Sequence, residues 1–311
     1  MTRIGSTDLE VYPLNLGTNV FGWTASRDAS FAVLDAYAAA GGNFVDTADM
    51  YSQWAPGNSG GESETIIGEW LAARGKRDQF VVATKLSALE GFKGLSAANV
   101  KAAAEGSLRR LGTDHIDLYY AHYDDEDTPI EETLAAFDEL VRAGKVRYIA
   151  ASNLSAKRVE ESLAISDREG FARYVALQPH YSLIERSGYE DEYAALVARE
   201  NLGVLPYWSL AKGFLTGKYR DGGPTVDSPR AGAAAQYLDD RGRRVLAALD
   251  EVSAAHSTTV AAVALAWLTA QPNVVAPIAS ARSTEQLADL LPAAELALTA
   301  DEVAKLTAAS E

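Results

Sequence analysis

Seven short apolar runs in this chain each lead directly into a polar residue of a kind that does chemistry. Asp46 follows NFV, Lys85 follows VVAT, His122 follows IDLYYA and Asn153 follows YIAAS. Gln178 follows YVAL, Tyr207 follows GVLP, and Arg282 lies just past VVAPIAS. Each run has the length and β-branched or aromatic content of a buried strand, and each presents its polar group at the same, C-terminal end. A barrel of parallel strands predicts this pattern, because its active site is assembled from the loops that follow the strands.

The runs place strands over 14–16, 43–45, 80–84, 116–121, 146–151, 175–177, 204–205 and 274–278. Amphipathic helices fill the gaps. Phe31, Leu34 and Tyr37 follow an N-cap candidate at Asp28 or Ser30, and Ile66, Ile67, Trp70 and Leu71 follow a Gly-Gly-Glu-Ser turn. Val100, Ala104 and Leu108 follow a Ser96 cap, and Leu134, Phe137 and Val141 follow Thr128-Pro129, with proline in a first-turn position. Strand starts recur at roughly 30-residue intervals, the length of one βα unit. The seventh connection is about twice that long and holds KYRDGGPTVDSPRAG, read as a mobile loop over the barrel top. Helical patterns resume near Asp239 and Thr258. Ahead of the first strand, Arg3-Ile4-Gly5 and Leu9-Glu10-Val11 flank a turn and predict a hairpin plugging the opposite end. The expectation is an α/β chain, a (β/α)8 TIM barrel over residues 1–311 as one domain.

Composition narrows the function. The net charge is -15, from 28 Lys and Arg against 43 Asp and Glu, which argues against nucleic acid or an anionic membrane as partner. An anionic cofactor therefore needs a local basic pocket working against the global field. There are no cysteines, so disulfides, thiolate zinc sites and cysteine nucleophiles are excluded. Four scattered histidines make no metal site, and no Gly-x-Gly-x-x-Gly fingerprint is present. The expectation is a cytoplasmic protein, a monomer or weak homo-oligomer, acting on a small molecule.

Three strand-end residues, Asp46, Lys85 and His122, and Tyr51 five residues past Asp46 in the following loop, form a candidate proton relay. A tyrosine titrates near 10, too high for a good proton donor at neutral pH. A lysine ammonium beside it favours the phenolate, and an aspartate behind the lysine keeps it charged and oriented. Tyr51, Lys85 and Asp46 supply that set, with His122 on the neighbouring wall. Taken singly, Asp46 reads as a helix cap, Tyr51 as packing, Lys85 as a solvated strand end and His122 as structural. Their convergence at one barrel mouth favours the chemical reading.

The runs DTADMYS, GGESETIIGEWL, VVATK, RRLGTDHIDLYYAH, AGKVRYIAASN, GFLTGKY and ARSTEQL resemble the aldo-keto reductase superfamily, in order and across nearly the whole chain. The resemblance implies a (β/α)8 barrel and reversible hydride transfer between NAD(P)H and a carbonyl or alcohol. It implies Tyr51 as general acid, Lys85 and Asp46 as its tuning pair, and His122 as the group orienting the carbonyl oxygen. The superfamily's potassium-channel β subunits have Asn at the histidine position, so His122 leans towards catalysis.

The same resemblance implies a cofactor site from Gly17, Thr18, Asn19 and Asp46 to the far strands. Ser152, Asn153 and Gln178 suit the nicotinamide carboxamide, and Tyr207 offers a ring face for stacking. The pyrophosphate would run near Trp208, Ser209, Leu210, Ala211, Lys212 and Lys218, where the family usually has Ser-Pro-Leu in place of Trp208-Ser209-Leu210. Ser280, Arg282 and Gln286 lie at the start of a helix near 283–285, and a helix N-terminus plus an arginine suits a ribose 2'-phosphate. Family members often have Gly for Ser280 and Asn for Leu290. NADPH is the expected cofactor, with NADH possible. Trp23, Trp54, Tyr123 and Trp208 are candidate aromatic walls for the substrate, beside Tyr51 and His122. Two other readings are an NADP-holding redox sensor with little turnover and an aldolase using Lys85 as a Schiff-base amine.

Overall fold

The computed structural model describes residues 1–223 and 228–311. Part of the long seventh connection, 224–227, therefore lies outside the described residues. The chain opens with an antiparallel hairpin, β1 (Thr2–Arg3) and β2 (Glu10–Val11). Eight strands follow: β3 (Asn15–Gly17), β4 (Phe44–Asp46), β5 (Val81–Leu86), β6 (Ile116–Ala121), β7 (Val146–Ser152), β8 (Tyr174–Gln178), β9 (Gly203–Val204) and β10 (Ile278–Ala279).

These eight are parallel, in the order β10-β3-β4-β5-β6-β7-β8-β9. The ends of that row meet. Val204 N–H donates to Asn273 O and Val275 N–H to Val204 O, each at 2.9 Å, and Ile278 N–H donates to Pro206 O at 2.9 Å. The sheet is a closed (β/α)8 barrel. The eighth strand differs from its expected span: residues 274–277 run along β9 through these bonds, and regular pairing with β3 is confined to 278–279.

Strands closed into a barrel are covered on both faces. Every residue of β5 and β6 is buried for that reason, and these strands read as continuous apolar runs, not as an alternation. The interior packs Phe44, Ala83, Leu118, Ala176 and Leu205 against Ile4, Leu9 and Val11 of the hairpin, which plugs the N-terminal end. Gly5 permits that approach. Its φ is +49°, and a Cβ would lie 2.8 Å from the Val175 carbonyl.

The helices form the outer layer, their buried stripes facing the outer surface of the sheet. They include α1 (Arg27–Ala39), α2 (Glu62–Arg74), α3 (Ala97–Leu111), α4 (Ile130–Arg142) and α5 (Ala156–Glu169). Farther on come α6 (Ser187–Glu190), α7 (Ala194–Glu200), α8 (Ala231–Ala235), α9 (Asp240–Ala255), α10 (Val260–Thr269), α11 (Thr284–Leu290) and α12 (Ala300–Ala309). Caps set several starts. Ser96 accepts from Asn99 N as expected, but α1 is capped by Ser26, two residues before Asp28, and Ser30 lies inside the helix. None of the helices among the described residues is by itself long and apolar enough to cross a membrane.

Candidate functional site

The loops after the strands surround a cavity of about 710 Å³ at the C-terminal end of the barrel. Its floor begins with Gly17, where a Cβ would meet Ile278 Cγ2 and Ser280 Oγ at 2.8 Å each. Glycine there lets β3 and β10 close up under the opening.

The turn 46–52 leaves β4 and is pinned along its length. Thr18 Oγ1 donates to Asp46 O at 2.8 Å, Thr47 Oγ1 to Ser63 Oγ at 2.9 Å, and Ser52 Oγ to Phe21 O at 2.7 Å. These bonds present Asp46 and Tyr51 to Lys85 of β5. The Lys85 ammonium, completely buried, donates to Asp46 Oδ2 at 2.5 Å, Thr47 O at 2.7 Å and Tyr51 Oη at 3.1 Å. All three of its protons are engaged. Burial works to strip this group of its charge, but Asp46 and Tyr51 outweigh it and hold Lys85 above its ordinary value. A Schiff-base lysine needs an accessible neutral amine, and Lys85 has neither property.

Tyr51 departs from the electrostatic expectation. Lys85 does pull its hydroxyl down, but burial pushes harder and Asp46 adds to it, so Tyr51 titrates above its ordinary value and stays a phenol. His122 is buried. Loss of solvation, with repulsion from Lys85, pushes it well below its usual value. It is therefore a neutral imidazole, one ring nitrogen donating and the other accepting. Its ring centroid stands 6.2 Å from that of Tyr51.

Ser152, Asn153 and Gln178 lie together on the adjoining wall and spend most of their capacity on one another. Ser152 Oγ donates to Gln178 O at 2.8 Å, and Asn153 Nδ2 donates to His122 O at 2.9 Å and Ser152 Oγ at 3.0 Å. Asn153 takes φ +53°, a left-handed conformation that asparagine tolerates. Neither Ser152 nor Asn153 caps a helix, since Ser155 caps α5. Gln178 Nε2 donates to Asp46 Oδ1 at 2.8 Å, which leaves its carbonyl to accept. Tyr207 donates to Asn153 Oδ1 at 2.9 Å and stacks on His180, centroids 5.5 Å apart.

Past Tyr207, the chain bends through left-handed residues Trp208, Ala211 and Lys212. Ser209 Oγ is committed to Pro206 O at 2.9 Å, and the Ala211 amide to Trp208 O at 2.7 Å. Ala211 is buried in the core, while Trp208, Ser209, Leu210, Lys212 and Lys218 line the cavity. Lys212 Nζ lies over the Trp208 ring, 4.6 Å from its centroid.

One wall of the cavity is basic, and it reaches the aromatic mouth, where the Arg230 guanidinium lies 6.0 Å from the Trp23 ring centroid. Lys218 and Arg282 are joined there by Arg230, which the sequence reading missed. Arg230 Nη2 and Ser280 Oγ both donate to Asn19 Oδ1, at 3.2 and 2.9 Å. Desolvation and then mutual repulsion push Lys218 and Arg230 below their ordinary values, with Arg282 the strongest repelling charge on each. Such a cluster attracts an anion. The Gln286 side chain is held by accepting from Arg282 N at 3.0 Å.

The mouth near Tyr51 is aromatic. Trp23 and Trp54 meet edge to face at 5.6 Å, Trp54 packs on Tyr51, and Tyr123 stacks on His122 at 4.6 Å. Trp54, Tyr123 and Trp208 remain exposed.

Known proteins share this chain's sequence over most of its length. Residues 13–311 match the sequence profile of the Aldo/keto reductase family. An uncharacterised oxidoreductase, YrpG, of Bacillus subtilis is 36% identical over 96% of this chain and 91% of its own length. Norsolorinic acid reductase stcV of Emericella nidulans is 33% identical, covering 90% of this chain and 73% of the relative. A probable voltage-gated potassium channel subunit beta of Oryza sativa is 31% identical over 98% and 95%.

Proposed function

From the premise that this chain belongs to the Aldo/keto reductase family, and so is an NAD(P)H-dependent oxidoreductase, we propose an NADP(H)-linked carbonyl reductase in which Tyr51 is the general acid. When bound, the nicotinamide supplies the hydride to a carbonyl carbon, or accepts one from an alcohol. Tyr51 Oη gives its proton to the carbonyl oxygen, and Lys85 stabilises the phenolate left behind. Asp46 keeps Lys85 charged and aimed. Neutral His122 donates an N–H to the same oxygen and orients it. The single observation that carries this reading is Lys85 Nζ touching Asp46, Thr47 and Tyr51 at once.

The residues present fit the cofactor. The Gln178 carbonyl and a lone pair of Asn153 Oδ1 suit the carboxamide NH2, and Tyr207 can stack. Arg282, Arg230 and Lys218 form a cationic wall that fits phosphate groups, with Arg282 assigned the 2'-phosphate.

The test is NADPH oxidation over aldehydes, dicarbonyls, ketosugars and ring ketones, paired with NADP+ reduction over alcohols and sugars. Multiple turnovers with at least one carbonyl are expected. The rice channel-subunit relative favours one other reading, a redox sensor. Oxidation of one bound cofactor per chain, without turnover, would establish the sensor and reject the reductase.

A further inference from the structure

Behind the Tyr51 turn lies a carboxyl group that the proposed mechanism does not use. Asp49 is 1% exposed, and neither carboxylate oxygen has a hydrogen-bond partner among the described residues. The Met50 amide draws its carboxyl down, but burial outweighs it. Its own amide is fixed, donating to Lys85 O at 3.1 Å.

The neighbouring charges are already matched. On β5, Lys85 belongs to Asp46. On α2, buried Glu64 accepts from Thr84 Oγ1 at 2.6 Å and from Arg110 Nε of α3 at 2.6 Å. From β6, Tyr119 contributes a buried hydroxyl that also has no partner, and Asp49 is the charge that weighs most on it. Asp46 with Lys85 and Glu64 with Arg110 make two closed pairs. Asp49 is the odd group, without a cation of its own. An unpaired buried carboxylate is strongly disfavoured, and the group escapes by keeping its proton.

We propose that Asp49 is a positioning residue for the Tyr51 acid: the 46–52 turn keeps its place while this buried, unpartnered carboxyl is uncharged and shifts when it ionises. The inference rests on the reading of Tyr51 given above. An ionised Asp49 would face Glu64 with no cation of its own. The turn can relieve that by shifting, and the same turn carries Tyr51 two residues on. Burial, followed by Glu64, pushes the Asp49 carboxyl up to about 8, within reach of an ordinary pH profile.

The test compares the wild type with Asp49→Asn, which reproduces the shape of the neutral acid and cannot ionise. In the wild type, kcat/KM for carbonyl reduction should fall about tenfold per pH unit beyond that ionisation. In Asp49→Asn this fall should vanish, leaving only the higher limb that belongs to Tyr51. Infrared difference spectroscopy of the cofactor-free proteins should show a carboxylic-acid C=O band at neutral pH, absent from the variant. An unchanged pH profile in the variant, or no acid band in the wild type, overturns the role of Asp49. Full activity in Tyr51→Phe would instead overturn the reading of Tyr51, so the two failures are distinct.

Discussion

Gln178 Nε2 donates to Asp46 Oδ1 at 2.8 Å, the carboxylate oxygen opposite the one that Lys85 takes at 2.5 Å. Two distant strands, β8 and β4, thus meet on one carboxylate inside the barrel mouth. A residue assigned to the cofactor is at the same time a support of the proton relay. Changing Gln178 should therefore disturb both.

Gln178→Leu leaves Asp46 Oδ1 without its donor in a buried place. A loss of about 1–3 kcal/mol of folding stability is expected, the cost of an unsatisfied buried acceptor. Urea unfolding of wild type and variant measures it, and identical midpoints would deny Gln178 its supporting role.

Tyr51→Phe removes one hydroxyl and leaves Lys85 its bonds to Asp46 and Thr47. Carbonyl reduction should fall by about 100-fold or more, the scale of a general acid. Cofactor dissociation constants should hardly change. Near wild-type turnover would reject Tyr51 as the acid.

Lys85→Met tests the tuning of that acid. Burial raises the Tyr51 hydroxyl and Lys85 opposes it, so removing the ammonium should raise Tyr51 further. Read in the Asp49→Asn background, where only the Tyr51 limb remains, the alkaline limb of reduction then moves to higher pH, and turnover falls because the acid is weaker. Breaking the buried pair should also cost about 3–5 kcal/mol of stability. Circular dichroism confirms folding before rates are compared. A limb moving to lower pH contradicts the assignment, and a ketone adduct trapped on wild-type Lys85 by borohydride would establish a Schiff-base lysine.

Arg282→Ala should weaken NADPH more than NADH by roughly 1.5–3 kcal/mol, the scale of a hydrogen bond to a charged group. Only NADPH carries the 2'-phosphate that a guanidinium can grip twice. Tryptophan fluorescence quenching gives both constants. An equal change for the two cofactors would mean that Arg282 does not read that phosphate. With a net charge of -15, the difference should also depend on ionic strength.

The barrel was legible because its strands are buried on both faces and its reactive side chains stand at their ends. Lys85 and Gln178 could be picked out by that position alone. The hairpin plug was legible from Ile4, Leu9 and Val11. Finer points depended on local geometry. Ser26, Asp28 and Ser30 offer similar capping chemistry, and only the backbone of the first turn decides among them. Residues 274–277 carry strand-like composition, but their bonds to β9 close the barrel in place of a regular ladder. Arg230 has no apolar run to announce it, so only the fold brings it to Asn19. Nothing in the sequence sets Asp49 apart, and its isolation shows only once Glu64 and Arg110 are seen to be paired. The expected mobile loop falls partly on 224–227, outside the described residues.

The two-residue strands β9 and β10 make the closing joint of the barrel its thinnest, held there by a handful of main-chain bonds. The segments leading from that joint carry Lys218 on one side and Arg282 on the other. A dinucleotide gripped by both would act as a clasp across the joint, stabilising the closed form in proportion to its occupancy. Amide exchange at Val204, Val275 and Ile278 should then slow when the cofactor binds, since these amides make the main-chain bonds of the joint. Ligand affinity and the integrity of the barrel wall become two readings of one equilibrium.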